Sequence, residues 1–304
     1  MNQSAVLLID CPDRRGLVAR VSSLLYELGA NILHSDQHTD HDLGLFFMRL
    51  EWGLKTAEHG DGVRQAGEDD AVCTGDGGFD LARFEREFAP LAESLEMRWK
   101  LYSGRRRPRV ALFCSQYLHC AADLLYRNAT GELDCEIPLI VSNHRAVEAM
   151  AGFYGVPFEY VPVTAEGRAA AERRQLERLE LDDVELVVLA RYMQILSPGF
   201  VARYPAAIIN VHHSFLPAFT GARPYHAAHA RGVKLIGATS HYVTEVLDDG
   251  PIIEQDVTRI SHRDQVEDLV ARGRDLERIV LSRAVRWHLE RRILCYGNKT
   301  VVFD

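Results

Sequence analysis

The sequence predicts an α/β chain built from two folding units, on three observations. The first hundred residues run strand, helix, strand, strand, helix, strand. From residue 109 onward, short apolar runs alternate with amphipathic stretches. Between them lies a basic, breaker-rich segment, Gly104-Arg105-Arg106-Arg107-Pro108. A length of 304 residues suits two domains, each large enough to bury a core.

In the first unit, residues 6–10 form a short β-rich run, and residues 16–28 place Leu17, Val21, Leu24, Leu25 and Leu28 on one helical stripe that Gly29 stops. Strands follow at 30–33 and 43–52, a second helix at 81–95 aligns Phe84, Phe88 and Leu91, and a strand at 97–102 closes the set. That order is the ferredoxin-like βαββαβ arrangement, so residues 1–102 are read as one domain and 103–108 as a solvated linker. Within the first domain, residues 53–78 hold seven glycines, many acids and little periodicity, and read as a flexible insertion.

In residues 109–304 strands are expected at 110–115, 138–142, 158–163, 186–190 and 207–211, with helices at 119–127, 144–153 and 166–179. Repeated strand-helix units imply a Rossmann-like, mostly parallel sheet with helices on both faces. Two extended runs, 235–243 and 251–259, then form a hairpin, and a helix over 262–292 and a strand near Thr300 end the chain.

Composition narrows the function. The chain is 47% hydrophobic and 26% charged, as soluble globular proteins are, and its formal net charge is −8. Of the first hundred residues 18 are acidic and 10 basic, which leaves the rest neutral. Such a balance argues against nucleic acid as a partner and favours small-molecule chemistry. No apolar run approaches 18 residues, so no membrane span is expected. The cysteines, Cys11, Cys73, Cys114, Cys120, Cys135 and Cys295, include no C-x-x-C pair and read as reduced thiols of a cytoplasmic protein.

The chemistry concentrates after the last parallel strand. A strand ending in Asn210-Val211-His212 puts two polar side chains on one face at a C-terminal sheet edge, where open α/β sheets bind ligands. On its own that pattern is more often a hydrogen-bonded structural histidine. In the hairpin, the turn Asp248-Asp249-Gly250 reads either as a carboxylate bonded to its own backbone or as one presented to the sheet edge. His226-x-x-His229 and the group Asp36, His38, Asp40 and His41 lack a complete metal-ligand set, and residues 115–120 lack the glycines of a dinucleotide loop. Neither a metal nor a cofactor is expected.

These residues carry a resemblance. Asn210-Val211-His212 with Ser214-Phe215-Leu216-Pro217, Gly237-Ala238-Thr239, His241-Tyr242-Val243 and Leu247-Asp248-Asp249-Gly250-Pro251 resemble the formyltransferase fold that handles 10-formyltetrahydrofolate. The run from Ala190 to Pro198 resembles its folate loop. Asp13-Arg14-Arg15-Gly16-Leu17 and Gly29-Ala30-Asn31-Ile32 resemble an ACT regulatory module. An ACT module ahead of a formyltransferase domain is the layout of formyltetrahydrofolate deformylases. The resemblance implies hydrolysis of 10-formyltetrahydrofolate to tetrahydrofolate and formate, with formate supplied to purine synthesis.

It further implies Asn210, His212 and Asp248 as catalytic residues. Asn210 and a protonated His212 would stabilise the oxyanion, and Asp248 would hold the imidazole for proton transfer near neutral pH. Leu189, Met193, Gln194, Ile195, Leu196, Phe200 and Val201 would wall the folate slot, with Thr244, Glu245 and Leu247 opposite. Core packing is the other reading of Phe200 and Val201. Asp13, Arg14, Gly16 and Asn31 would bind an amino-acid effector such as glycine or methionine, in a homo-oligomer.

Two alternatives stay open. One is a transferase passing the formyl group to an amine, against which the glycine-free loop Cys114-Ser115-Gln116-Tyr117-Leu118-His119-Cys120 stands, since a phosphorylated acceptor wants close backbone approach there. The other is a non-catalytic folate- and amino-acid-sensing protein.

Overall fold

The computed structural model of the chain describes residues 4–54, 78–104, 106–218 and 224–303. Cys73 and nearly all of the 53–78 insertion lie outside the described residues. Two compact units divide between Arg106 and Arg107.

The first unit comprises β1 (Ser4–Pro12), α1 (Leu17–Glu27), β2 (Asn31–Asp40), β3 (Leu45–Gly53), α2 (Leu81–Ser94) and β4 (Arg98–Ser103). Its four strands order β2-β3-β1-β4, all neighbours antiparallel. Gly16 caps α1 at φ 86°, a left-handed backbone that glycine adopts without strain. The predicted stripe faces inward, with Leu17, Val21 and Leu25 buried against Phe84 and Phe88 of α2 and the apolar face of β1 and β3. β2 runs on to Asp40, well past the expected end at Leu33, because pairing with β3 carries it through exposed polar residues. An edge strand wetted along its length shows no apolar alternation to read.

The second unit carries a sheet ordered β11-β10-β9-β8-β5-β6-β7. In chain order its elements are β5 (Arg109–Cys114), α3 (His119–Ala129), β6 (Glu136–Ser142), α4 (Glu148–Phe153), β7 (Phe158–Tyr160), α5 (Arg168–Leu181), β8 (Leu186–Leu189), α6 (Pro198–Val201), β9 (Ile208–His212) and α7 (Pro224–Arg231). Then follow the hairpin β10 (Leu235–Tyr242) and β11 (Ile252–Arg259), α8 (Val266–Leu289), and a ribbon of β12 (Ile293–Tyr296) with β13 (Lys299–Val302). Strands β9, β8, β5, β6 and β7 are parallel, and β10 turns antiparallel onto β9.

The central strands are apolar because both faces are covered. Val110, Leu112 and Cys114 pack under α3 and α8, while Ala111 and Phe113 pack under α5 and α6. The chain builds β5, β6 and β7 outward in one direction and then returns to lay β8 on the other side of β5. That reversal opens a crevice at the C-terminal ends of β5 and β8. Across it, Ser115 Oγ accepts from Met193 N at 3.1 Å and donates to Asn143 Oδ1 at 2.6 Å, tying three strand-end loops together. The short helices α6 and α7 and strand β12 are not predicted from sequence. The first two are too brief for a periodic signal, and β12 pairs only with its neighbour β13.

Candidate active site

Asn210 and His212 project from the end of β9 on one face, as alternation requires. The antiparallel register of β10 sets His241 opposite Asn210 and Thr239 opposite His212, so four polar side chains line one patch at the sheet edge. Asp248 comes from the connection between β10 and β11. There Gly250 passes so close over the end of β10 that a Cβ would lie 1.7 Å from the Tyr242 carbonyl oxygen, and Tyr242 N donates to Pro251 O at 2.9 Å. Asp248 itself is left-handed at φ 57°. This tight return aims its carboxylate back over the strands, with Oδ1 3.2 Å from His212 Nδ1 and 3.9 Å from His241 Nε2.

The hydrogen bond from His212 holds the Asp248 carboxyl below the usual carboxylate range, against the opposing pull of partial burial. Asp248 is therefore ionised at neutral pH, and His212 donates its Nδ1 proton to it. The other ring nitrogen, Nε2, is buried and has no hydrogen-bond partner among the described residues. A buried polar atom left unpaired in this way calls for a reason.

His241 belongs to the site although sequence reasoning gave it no role. Its Nδ1 lies 2.9 Å from the Tyr242 carbonyl, which can only accept, so Nδ1 carries the proton. Burial lowers the pKa of the ring and keeps it neutral. Nε2 is then an acceptor, and Asn210 Nδ2 donates to it at 3.2 Å. The amide of Asn210 is thereby fixed in one orientation, with its second N–H free of this bond. The available signal was positional, since an antiparallel neighbour strand must place some residue opposite Asn210.

His213, expected on the opposite face, does not follow the alternation, because β9 ends at His212. Its ring centroid lies 5.1 Å from that of His212 and 6.1 Å from that of Tyr225. Burial, then the charges of Arg191 and His212, push its pKa down to about 4.

The expected folate wall divides into two layers. Leu189, Leu196, Phe200 and Val201 are buried in the core under the β5–β8 crevice, where the Ser197-capped turn of α6 directs Phe200 against Phe113. For Phe200 and Val201 this burial agrees with the core reading. Met193, Ile195, Leu247 and Glu245 are exposed, and Gln194 and Thr244 are partly buried. The two loops that carry them rise from the ends of β8 and β10, separated by the single strand β9.

The four effector candidates do not meet within one chain. Asn31 pairs with Gly53, which pairs with Ser4, whereas Asp13, Arg14 and Gly16 follow Pro12, which pairs with Leu45. The helix α1 carries the chain back to where β1 began, so Asn31 lies the length of β3 away, roughly 25 Å at about 3.3 Å per residue. Arg14 bonds Glu96 at 2.7 Å, and Asp13 N bonds Gly44 O at 2.8 Å.

Sequence also missed Glu277, a carboxylate inside α8. It is 1% exposed, accepts from His119 Nε2 at 2.7 Å and Tyr225 Oη at 2.8 Å, and lies 3.5 Å from Arg191 Nε. Burial works to raise its carboxyl, but His119, Arg191 and Tyr225 together hold it below the usual range. The signal lay in the helix periodicity, since Glu277 falls on the stripe of Leu269, Gly273 and Leu281. Donor atoms of His119, Cys120 and Glu277 lie within 4.8 Å of one another, the one such group among the described residues. Burial holds the Cys120 thiol protonated, and Arg191 already meets the carboxylate charge, so this donor set does not suit a metal ion. Neither His226 and His229 nor the Asp36 to His41 group forms such a set among the described residues.

Comparison with known proteins agrees with this architecture. The formyl transferase family profile matches residues 108–285, and the ACT domain profile matches residues 5–51. A formyltetrahydrofolate deformylase of Synechocystis sp. is 49% identical over 99% of both chains, and one of Bacillus subtilis is 47% identical over 98% of this chain and 93% of its own. The crystal structure of a formyltetrahydrofolate deformylase from Pseudomonas syringae pv. tomato superposes with a TM-score of 0.90 at 44% identity, over 100% of this chain and 95% of the other. With both modules matched in order and relatives aligned from end to end, the chain belongs to the formyltetrahydrofolate deformylase family.

Proposed function

We propose that the chain hydrolyses 10-formyltetrahydrofolate to tetrahydrofolate and formate, and that Asn210, His212 and Asp248 carry the reaction. The observation that supports this most is the His212–Asp248 pair at 3.2 Å, with the opposite ring nitrogen buried and unpartnered among the described residues. Family membership supplies the substrate.

In the reaction, water adds to the formyl carbon and gives its proton to His212 Nε2. The imidazolium that forms is stabilised by ionised Asp248 at Nδ1. Negative charge grows on the formyl oxygen, and the second N–H of Asn210 Nδ2 donates to it. Collapse breaks the bond from carbon to N10, and N10 takes the proton from His212 Nε2. The carbon fragment leaves as formic acid, which gives its remaining proton to solvent and becomes formate, tetrahydrofolate departs, and the enzyme returns to its starting protonation state.

Met193, Gln194, Ile195 and Leu247 would contact the folate, with Thr244 and Glu245 at the rim. Leu189, Leu196, Phe200 and Val201 support this surface from below. The ACT module would bind an amino acid such as glycine or methionine between copies of the chain in a homo-oligomer, which alone would bring Asn31 near a β1–α1 turn. The formate would enter purine synthesis in the cytoplasm. The test is direct. Incubated with 10-formyltetrahydrofolate and no amine, the protein releases formate and tetrahydrofolate in equal amounts; substrate consumed only after an amine is added would contradict the proposal.

A further inference from the structure

Beside the catalytic pair, polar groups at the crevice gather around one buried carboxylate. His119 opens α3 just past the end of β5, and Arg191, left-handed at φ 64°, follows the end of β8. Both point at Glu277 of α8. Tyr225 of α7 completes the cluster, and its hydroxyl reaches Glu277 only because residue 273 is glycine: a Cβ there would lie 2.0 Å from Tyr225 Oη. From Tyr225 the contacts run through the ring of His213 to the ring of His212. The cluster therefore starts one ring away from the reacting centre and ends at the first turn of α3.

A carboxylate buried this deeply is destabilising by several kcal/mol unless its charge and both oxygens are met. Here His119 and Tyr225 each donate to one carboxylate oxygen, and the Arg191 guanidinium stands 3.5 Å away as the countercharge. The consequence concerns the nucleophile. An amine acceptor must bring its own polar groups into the crevice and exchange their hydration for protein hydrogen bonds. At this edge His119 and Tyr225 are already committed to the two oxygens of Glu277. Water needs no such partners.

Resting on the hydrolase reading above, we propose that His119 and Tyr225 are specificity-determining residues: by occupying both oxygens of Glu277 they close the acceptor side of the site to amines and leave water as the nucleophile. If the cluster opens, an amine nitrogen bonds to the formyl carbon, the bond to N10 breaks, and N10 takes the proton the amine loses. The products are then an N-formyl amine and tetrahydrofolate.

The test uses the full chain, 10-formyltetrahydrofolate and glycinamide as the amine probe, with formate and N-formylglycinamide measured separately. The wild type forms formate alone at every glycinamide concentration. The double substitution His119→Ala, Tyr225→Phe raises the ratio of N-formylglycinamide to formate about tenfold or more. Should that variant fail to fold, Tyr225→Phe alone removes a hydroxyl and little volume, and carries the same prediction at a smaller ratio. His119→Asn, which retains a donor toward Glu277, keeps the wild-type ratio. Formate as the sole product of the folded double variant or of Tyr225→Phe overturns the proposal, and so does a wild type that formylates glycinamide. A wild type that releases no formate overturns instead the hydrolase reading on which the proposal rests.

Discussion

Replacing Asp248 with asparagine separates the proposed chemistry from folate binding. When His212 accepts the proton from water, an imidazolium faces the Asp248 carboxylate at 3.2 Å. At an effective dielectric of about 20, that attraction amounts to about 5 kcal/mol. Asparagine is nearly the same shape but neutral, and its amide can turn Nδ2 toward His212 and enforce the wrong tautomer. Allowing for the hydrogen bond it can still make, about 3–5 kcal/mol of transition-state stabilisation is lost, a fall in kcat of roughly 10²- to 10⁴-fold. Folate binding changes little, because the carboxylate faces an imidazole. The assay is initial-rate formate release alongside equilibrium binding of tetrahydrofolate, with Asp249→Asn as the exposed neighbouring control. An Asp248→Asn variant within threefold of wild-type kcat would refute the reasoning, as would a loss explained wholly by weaker binding.

Three further outcomes follow from the geometry. His241→Leu removes the acceptor that fixes the Asn210 amide and lowers kcat about tenfold with little change in KM, while His241→Gln, which offers an acceptor oxygen, recovers part of the loss. Buried neutral His213, near 4 in the folded chain and about 6.5 when unfolded, binds its proton more readily in the unfolded state. Its contribution to folding stability is therefore lost as pH falls from about 6.5 to 4, by up to about 3 kcal/mol, and urea midpoints of His213→Phe fall less steeply over that range than those of wild type. Gly250→Ala forces a methyl into the Tyr242 carbonyl and lowers stability by about 2–4 kcal/mol; since the same turn aims Asp248, chemical unfolding and kcat both register the change.

Much of the second unit is legible in the sequence because its strands are buried on both faces and its helices are long enough to show a period. Asn210 and His212 are legible for the same reason, since two residues apart on a strand means one face. Asp248 is readable as a turn acid, bonded to its own backbone or presented to the sheet edge, and the sequence does not choose between the two. What made it face His212 is the glycine clearance over Tyr242, which no local pattern reveals. His241 and Glu277 depend on which strand lies beside β9 and which helix covers β5, and that is decided by sheet order. Phe200 and Val201 look alike in sequence whether they wall a slot or fill a core, and the cap at Ser197 decides between them. Asn31 was grouped with Asp13, Arg14 and Gly16 by resemblance, and strand register separates them by the length of a strand.

The most direct measurement follows the oxygen. Hydrolysis of 10-formyltetrahydrofolate in heavy-oxygen water, with no amine present, should give formate carrying one solvent oxygen for every tetrahydrofolate released, and the signal should collapse in Asp248→Asn. Formate free of solvent oxygen, or substrate left intact until an amine is supplied, would contradict attack by water at the site of Asn210, His212 and Asp248.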